Sequence, residues 1–390
     1  MTATAGEVRA RVEAALAARR AAGDEYFSAQ AERLARLCHL VAERFAAGGR
    51  ILALGASPAA ASDARHLAVE FVHPVIVGKR ALPALALAGA ASGARALALA
   101  RPQDIVVAFG EGEAAATVAE LAARGCLTLA FAPTGAQWEF APACADASIR
   151  QELVETLYHL LWELVHVFFE HRGLLRGAGP RATGDAGRAS FLYPFLTEAQ
   201  DALEPVLEDV RRSVLMKAAE VAALREQTLR ENAPVLAAAA GTLRAAFADG
   251  GTVWALGNGG SATDAADLVA DLAADGHPAG ELAEDPAVLT AIANDVGMPA
   301  IFTRQLIALA RPGDVLVALS SSGGSANVLA ALAHARAHRI ATIAFAGYDG
   351  GEILRDALAD HLVVTRSQHV PRIQEAQAGA YHVLVELARS

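Results

Sequence analysis

The sequence predicts an α/β protein built from two copies of one domain plan, each a three-layer unit with a parallel sheet flanked by helices. Three observations predict it. Short apolar or β-branched runs alternate with longer helical stretches, the pattern of parallel βαβ units. The same order of segments occurs twice along the chain. A length of 390 residues is enough for two cores of ordinary size.

In the first copy a helical lead-in ends at Gly48-Gly49, and a strand from Arg50 to Gly55 leads through a turn into a helix carrying Ser62, Asp63 and Ala64. The second copy repeats this with Gly250-Gly251, a strand from Thr252 to Gly257, and a helix carrying Thr263, Asp264 and Ala265. Downstream, Arg101-Pro102 and Asp104 before the run to Phe109 match Arg311-Pro312 and Asp314 before the run to Leu319. Another strand, ending at Phe131, has its counterpart ending at Phe345, and each copy closes with a long helix starting near Gln151 or Gln374. Residues 172–195 are rich in Gly, Arg and Pro and read as a linker. The expected domains are therefore 1–171 and 196–390. Leu196 to Ala248 reads as two helices whose apolar positions recur at helical spacing, expected to pack on the second sheet.

Composition narrows the function classes. The net charge is −10 with no basic stripe, which argues against a nucleic-acid ligand. No run reaches the roughly 18 apolar residues of a membrane span. Met1 to Arg20 is charged and lacks an apolar core, so no signal peptide is expected. Cys38, Cys126 and Cys144 have neither metal nor disulfide spacing, which fits a reducing, cytoplasmic compartment. Trp138, Trp162 and Trp254 read as packing residues.

Two loops of the second copy carry the chemical signal. Gly257-Asn258-Gly259-Gly260-Ser261 joins a strand to a helix, where glycines allow close backbone approach and the helix start offers amides to an anion. Ser320-Ser321-Ser322-Gly323-Gly324-Ser325 follows another strand and opens another helix, adding four hydroxyls. Both loops sit where open parallel sheets bind ligands, and together they make a phosphate cradle that needs no basic side chain.

These residues resemble the SIS (sugar isomerase) fold and, within it, the bacterial sedoheptulose-7-phosphate isomerase, or phosphoheptose isomerase, family. The matching pieces are GNGGSATDA at Gly257 to Ala265, AND at Ala293 to Asp295, SSSGGSAN at Ser320 to Asn327, and RIQE at Arg372 to Glu375, with His382 eight residues after Gln374. The resemblance implies conversion of sedoheptulose 7-phosphate to glycero-manno-heptose 7-phosphate, with a divalent metal, zinc, as cofactor. Carried over by position, it implies substrate contacts from Asn258, Gly259, Gly260, Ser261, Asn294, Asp295, Ser320, Ser321, Ser322, Ser325 and Gln374. It also implies a homo-oligomer equivalent to four such units, hence a homodimer of fused chains.

The family's metal and acid–base set is a His and a Glu four apart, plus the Gln and His of the last helix. The second copy departs from it, with Asp267 and Asp271 in the first two places before Gln374 and His382. The first copy keeps all four, as His66, Glu70, Gln151 and His159. Its loops, however, read Ala56-Ser57-Pro58 and Gly110-Glu111-Gly112-Glu113, which lack the glycine approach and add acidic groups.

Moving a carbonyl between adjacent carbons needs a base over an enediol, and a divalent cation would stabilise the enediolate charge. Glu70 and His159, or Asp271 and His382, are the candidate proton-transfer groups. The candidate metal set is His66, Glu70, Gln151 and His159, with Asp267, Asp271, Gln374 and His382 as the alternative. Residues eight apart on a helix are about 12 Å apart along its axis, so one ion is hard to reach from both. The expectation is that the copies complement each other, the second supplying phosphate loops and the first the metal and acid–base set. The competing readings are a non-catalytic phosphosugar-binding regulator or scaffold, and an isomerase of another phosphosugar.

Overall fold

The computed structural model describes residues 5–76, 79–110, 112, 114–175 and 202–389. The first half of the chain runs α1 (Ala5–Ala46), β1 (Ile51–Gly55), α2 (Pro58–Val72), β2 (Ala84–Ala88), α3 (Ser92–Leu99), β3 (Ile105–Ala108), α4 (Ala115–Ala123), β4 (Leu127–Ala130), β5 (Trp138–Glu139) and α5 (Ala147–Glu170). The second half repeats the alternation with α6 (Leu203–Ala248), β6 (Val253–Leu256), α7 (Gly260–Ala274), β7 (Ala279–Glu281), α8 (Pro286–Asp295), α9 (Thr303–Leu309), β8 (Val315–Ser320), α10 (Ala326–Ala337), β9 (Ala341–Ala346), α11 (Gly351–Arg355), β10 (His361–Val364) and α12 (Val370–Ala388).

Each half forms a five-stranded sheet, in the order β2-β1-β3-β4-β5 and β7-β6-β8-β9-β10. Every pairing is parallel, with Ile51 opposite Ile105 and Val253 opposite Val315. Parallel strands covered on both faces bury every residue, as β1, β3 and β8 do. The two-residue period divides their side chains between two cores. Ile51, Ala53 and Val107 face one, while Leu52, Leu54 and Val106 face the other.

A buried aspartate closes the turn before the third strand of each sheet. Asp104 accepts from the amides of Arg50 and Arg101 and pairs with the Arg50 guanidinium at 2.8 Å. Asp314 accepts from the amides of Thr252 and Arg311 and from the Trp254 indole. Asp314→Ala would strand those donors, so it is expected to destabilise the fold by about 3 kcal/mol in urea denaturation.

The described chain groups into two compact units, one spanning Ala21–Glu220 and the other joining the chain up to Arg20 with Val221–Ser390. This division differs from the expected boundaries at 171 and 196. Periodicity explains the difference. Val8, Val12 and Leu16 recur every four residues and bury with Leu229, Leu236 and Leu243, while Arg19 pairs with Glu386 at 3.0 Å. In the other unit Val206, Val210 and Val214 of α6 bury with Tyr26 and Leu34 of α1. The linker reading falls largely outside the described residues, of which Arg172–Leu174 forms a short 3-10 turn.

The two helices expected between Leu196 and Ala248 are one, α6, with Pro234 inside it. The buried stripe of Leu229, Leu236 and Leu243 continues across the proline. Asn232 beside it exchanges hydrogen bonds with the backbone of Val364. Packing there outweighs the one hydrogen bond the proline removes. Among the described residues, no helix is long and apolar enough to cross a membrane.

Candidate active site and metal centre

In both sheets the connections leave the first and third strands in opposite directions, which makes a crevice at their carboxyl ends. Sheets of this order bind ligands there. In the second unit that crevice lies beyond β6 and β8, and the glycine and serine loops follow those two strands.

Local sequence shapes both loops. A Cβ at Gly257 would lie 2.2 Å from the Ser261 carbonyl oxygen, so only glycine permits the tight entry to α7. Gly259 adopts a positive φ of 59° and caps α7 without a side-chain bond, leaving the helix start open to an incoming anion. In the second loop the buried Ser320 hydroxyl accepts from the Gly323 amide at 3.1 Å, and the Ser322 hydroxyl from the Gly324 amide at 3.2 Å. Ser325 caps α10 with its backbone only, so its hydroxyl is available. Ser321 lies in the same turn and is half-buried.

Asn258 and Asn327 exchange two amide hydrogen bonds, at 3.0 and 2.9 Å, and so tie one loop to the other. The sequence did not single out Asn327. Gln374 is buried in the first turns of α12, and its Oε1 accepts no hydrogen bond among the described residues. Asn294 and Asp295 are exposed at the end of α8, where their side chains bond to each other at 2.7 Å.

Of the alternative metal set, Asp271 and His382 meet at 3.5 Å, with His382 buried and Asp271 half-exposed. Asp267 is buried on the same helix. Within this unit, no trio of histidine and carboxylate ligand atoms gathers as tightly as in the first unit, among the described residues.

The first unit has the opposite emphasis. His66, Glu70 and His159 are buried, and their ligand atoms lie within 4.8 Å of one another. The His66 and His159 Nε2 atoms are 3.2 Å apart. Two nitrogens each bound at 2.0–2.1 Å to a tetrahedral zinc would be about 3.4 Å apart, so the pair fits a shared ion. Burial, then the neighbouring His159, holds His66 well below the ordinary imidazole value. A neutral ring is what metal ligation requires. The Gln151 amide nitrogen lies 3.5 Å from Asp63. Burial pushes the Asp63 carboxyl up to about 7, against hydrogen bonds from Gln151 and Tyr158.

The start of α2 in the first unit differs from that of α7. Ser57 caps α2 by accepting from the Ala60 amide, and Pro58 in its first turn has no N–H to offer. Glu111 and Glu113 lie outside the described residues.

Comparison with known proteins decides the family. Residues 218–347 match the model of the SIS domain. A phosphoheptose isomerase of Nitratidesulfovibrio vulgaris is 37% identical over 186 residues, which is 46% of this chain and 88% of that protein. Another, of Geobacter metallireducens, is 43% identical over 168 residues, covering 42% of this chain and 88% of that protein. The chain belongs to the phosphoheptose isomerase family, a family of isomerase enzymes. At the level of fold, the C-terminal domain of glucosamine-fructose-6-phosphate aminotransferase from Francisella tularensis aligns over 94% of this chain and 95% of that one. The identity is 9% and the TM-score 0.56.

For this isomerase the internal repeat also marks a tyrosine beyond the family motifs. Gln151-Glu152 with Tyr158-His159 recurs as Gln374-Glu375 with Tyr381-His382, and Asp63 recurs as Asp264. All eight α5 and α12 residues are buried or, for Gln151, half-buried. Tyr158, which lowers the Asp63 carboxyl against the effect of burial, was detectable only by aligning the two copies against each other.

Proposed function

We propose that the protein interconverts a ketose phosphate and an aldose phosphate, with sedoheptulose 7-phosphate and glycero-manno-heptose 7-phosphate as the pair. The observation that carries this reading is the joining of the glycine and serine loops by Asn258 and Asn327 at the crevice of the second sheet. Amides at the starts of α7 and α10, with the Ser321, Ser322 and Ser325 hydroxyls, supply donors for a phosphate without a cation. Asn294, Asp295 and Gln374 are assigned to the sugar by family position.

The reaction removes a proton from one carbon and returns it to its neighbour. In the second unit, His382 and Asp271 are assigned as the proton-transfer pair, since the carboxylate can steady the imidazolium that a base becomes. In the first unit, His66, Glu70 and His159 are assigned as ligands of a divalent cation, zinc, with Gln151 as the fourth residue of the set. When bound, the cation supplies positive charge that favours an enediolate. Glu70 and His159 are the alternative proton-transfer groups. A homodimer of fused chains is the proposed assembly.

A binding-only reading rests on a specific feature, the aspartates at 267 and 271 where the family has His and Glu. Incubation with sedoheptulose 7-phosphate, with and without added zinc, separates the two. Aldose formation that rises with zinc is the expected result. Heat stabilisation by the phosphosugar without turnover would replace catalysis with sensing.

A further inference from the structure

The last helix of the second unit is crossed by a charged side chain. Gly379 is buried in the middle of α12. Glycine inside a helix is less favourable than alanine, so its place there needs a reason. A Cβ at Gly379 would lie 2.9 Å from both Cδ and Nε of Arg225, which comes from α6. Glycine lets that stem lie against the α12 backbone. From there Arg225 Nη2 donates to the Glu375 carbonyl at 3.0 Å, and Arg225 is buried.

The first unit shows that the fold does not require this clasp. Arg225 stands as far before Gly250 as Gly23 stands before Gly48, and Gly379 follows Gln374 as Thr156 follows Gln151. The helices carrying these positions run unbroken in both units. In the first unit the buried Thr156 hydroxyl donates to the Glu152 carbonyl at 2.9 Å, and Glu152 is the counterpart of Glu375. The same carbonyl is therefore met within its own helix in one unit and from a neighbouring helix in the other. A bond inside one helix fixes nothing outside it; a bond from α6 fixes where α12 sits. Burying a guanidinium costs more than burying a threonine, and the costlier arrangement belongs to the unit with the glycine and serine loops. Glu375 adjoins Gln374, and Gly379 lies one turn before His382. The clasp thus falls between the α12 residues assigned to the sugar and to proton transfer.

We propose that Arg225 is a positioning residue for isomerisation: through the opening left by Gly379 it holds α12 at Glu375, and so sets where Gln374 and His382 stand against the glycine and serine loops. This rests on the assignments of Gln374 and His382 above. Arg225 acts through α12 and not on the reacting atoms.

The test uses the full chain with sedoheptulose 7-phosphate, reading kcat, KM and thermal melting. Arg225→Met keeps the stem and removes the donor; its kcat is expected to fall by about tenfold to a hundredfold, as a misplacement of about 1 Å can cause. Its KM is expected to change by less than about threefold, because the glycine and serine loops are untouched. Arg225→Lys keeps a donor and is expected to recover kcat to within about fivefold of the unaltered protein. Arg225→Gly combined with Gly379→Thr copies the first unit. That double variant is expected to melt close to the unaltered protein yet turn over as slowly as Arg225→Met. Unchanged kcat in Arg225→Met, or full recovery of kcat in the double variant, would make Arg225 structural only and overturn the proposal. Should Arg225→Met fail to fold, the lysine and double variants decide. Absence of turnover in the unaltered protein counts against the isomerase reading, and the NMR signal of the His382 ring then reads the proposal. That signal is expected to move when sedoheptulose 7-phosphate is added and to stay still in Arg225→Met. Movement in both proteins, or in neither, would overturn it.

Discussion

Gly347→Ala is expected to lower affinity for a phosphosugar by at least about a hundredfold, more than loss of any single serine hydroxyl. The added Cβ would lie 2.3 Å from the Ser321 carbonyl oxygen and 2.6 Å from Ile373 Cδ1. A side-chain end can turn away; a backbone carbonyl cannot move without its loop. Displacing Ser321 shifts the turn that Ser320 holds through the Gly323 amide, and the Ser325 end of α10 with it. A hydrogen bond to a charged partner contributes roughly 1.5–3 kcal/mol, so Ser325→Ala alone is expected to cost about tenfold to a hundredfold. The sheet is expected to survive with a modest fall in melting temperature. Calorimetric titration with sedoheptulose 7-phosphate measures both variants. Near-normal affinity in Gly347→Ala would remove the serine loop from the binding site.

The second large effect concerns the buried trio. His66→Ala or His159→Ala is expected to weaken zinc binding by at least about a hundredfold, because even an outer-sphere partner of a metal ligand costs ten- to a hundredfold. An Asp267→Ala, Asp271→Ala double variant is expected to keep its zinc. Competition with a chromogenic chelator reads both, and the opposite ranking would place the ion in the second unit. The trio also has a pH signature in metal-free protein. His66 has its folded pKa held well below the unfolded value of about 6.5. Below about pH 6.5 the unfolded chain therefore binds a proton that the folded chain refuses, and stability falls as pH falls. Above that pH this residue adds no slope. Replacing His66 with Asn is expected to flatten the acid limb of a stability–pH curve, measured with metal removed.

Much of the architecture was readable before any coordinates. Strands flanked by buried aspartates, Asp104 and Asp314, announced themselves by repetition, and buried parallel strands are apolar throughout because both faces are covered. The glycine and serine loops were equally readable, since Gly257 and Gly259 are demanded by the backbone itself. Long-range placement was less accessible. Leu196 to Ala248 read as two helices, but a stripe of leucines on either side of Pro234 packs as one surface, which local propensity does not encode. Nor did the sequence place Gln151 beside Asp63. Its spacing from His159 made a shared ion awkward, and its amide nitrogen lies 3.5 Å from Asp63.

What the sequence by itself determined was the doubled parallel α/β plan and the location of the glycine and serine loops. Both follow from local rules: alternation of strand and helix, and glycines where a side chain would collide. Tertiary structure decided the rest. It brought His66 and His159, ninety-three residues apart, to 3.2 Å, and it tied Asn258 to Asn327 across two strand ends. It also assigned the start of α1 to the unit of Val221–Ser390. Each of these depends on which surfaces pack together, and that is set by burial summed over a whole core, beyond the reach of any window of sequence.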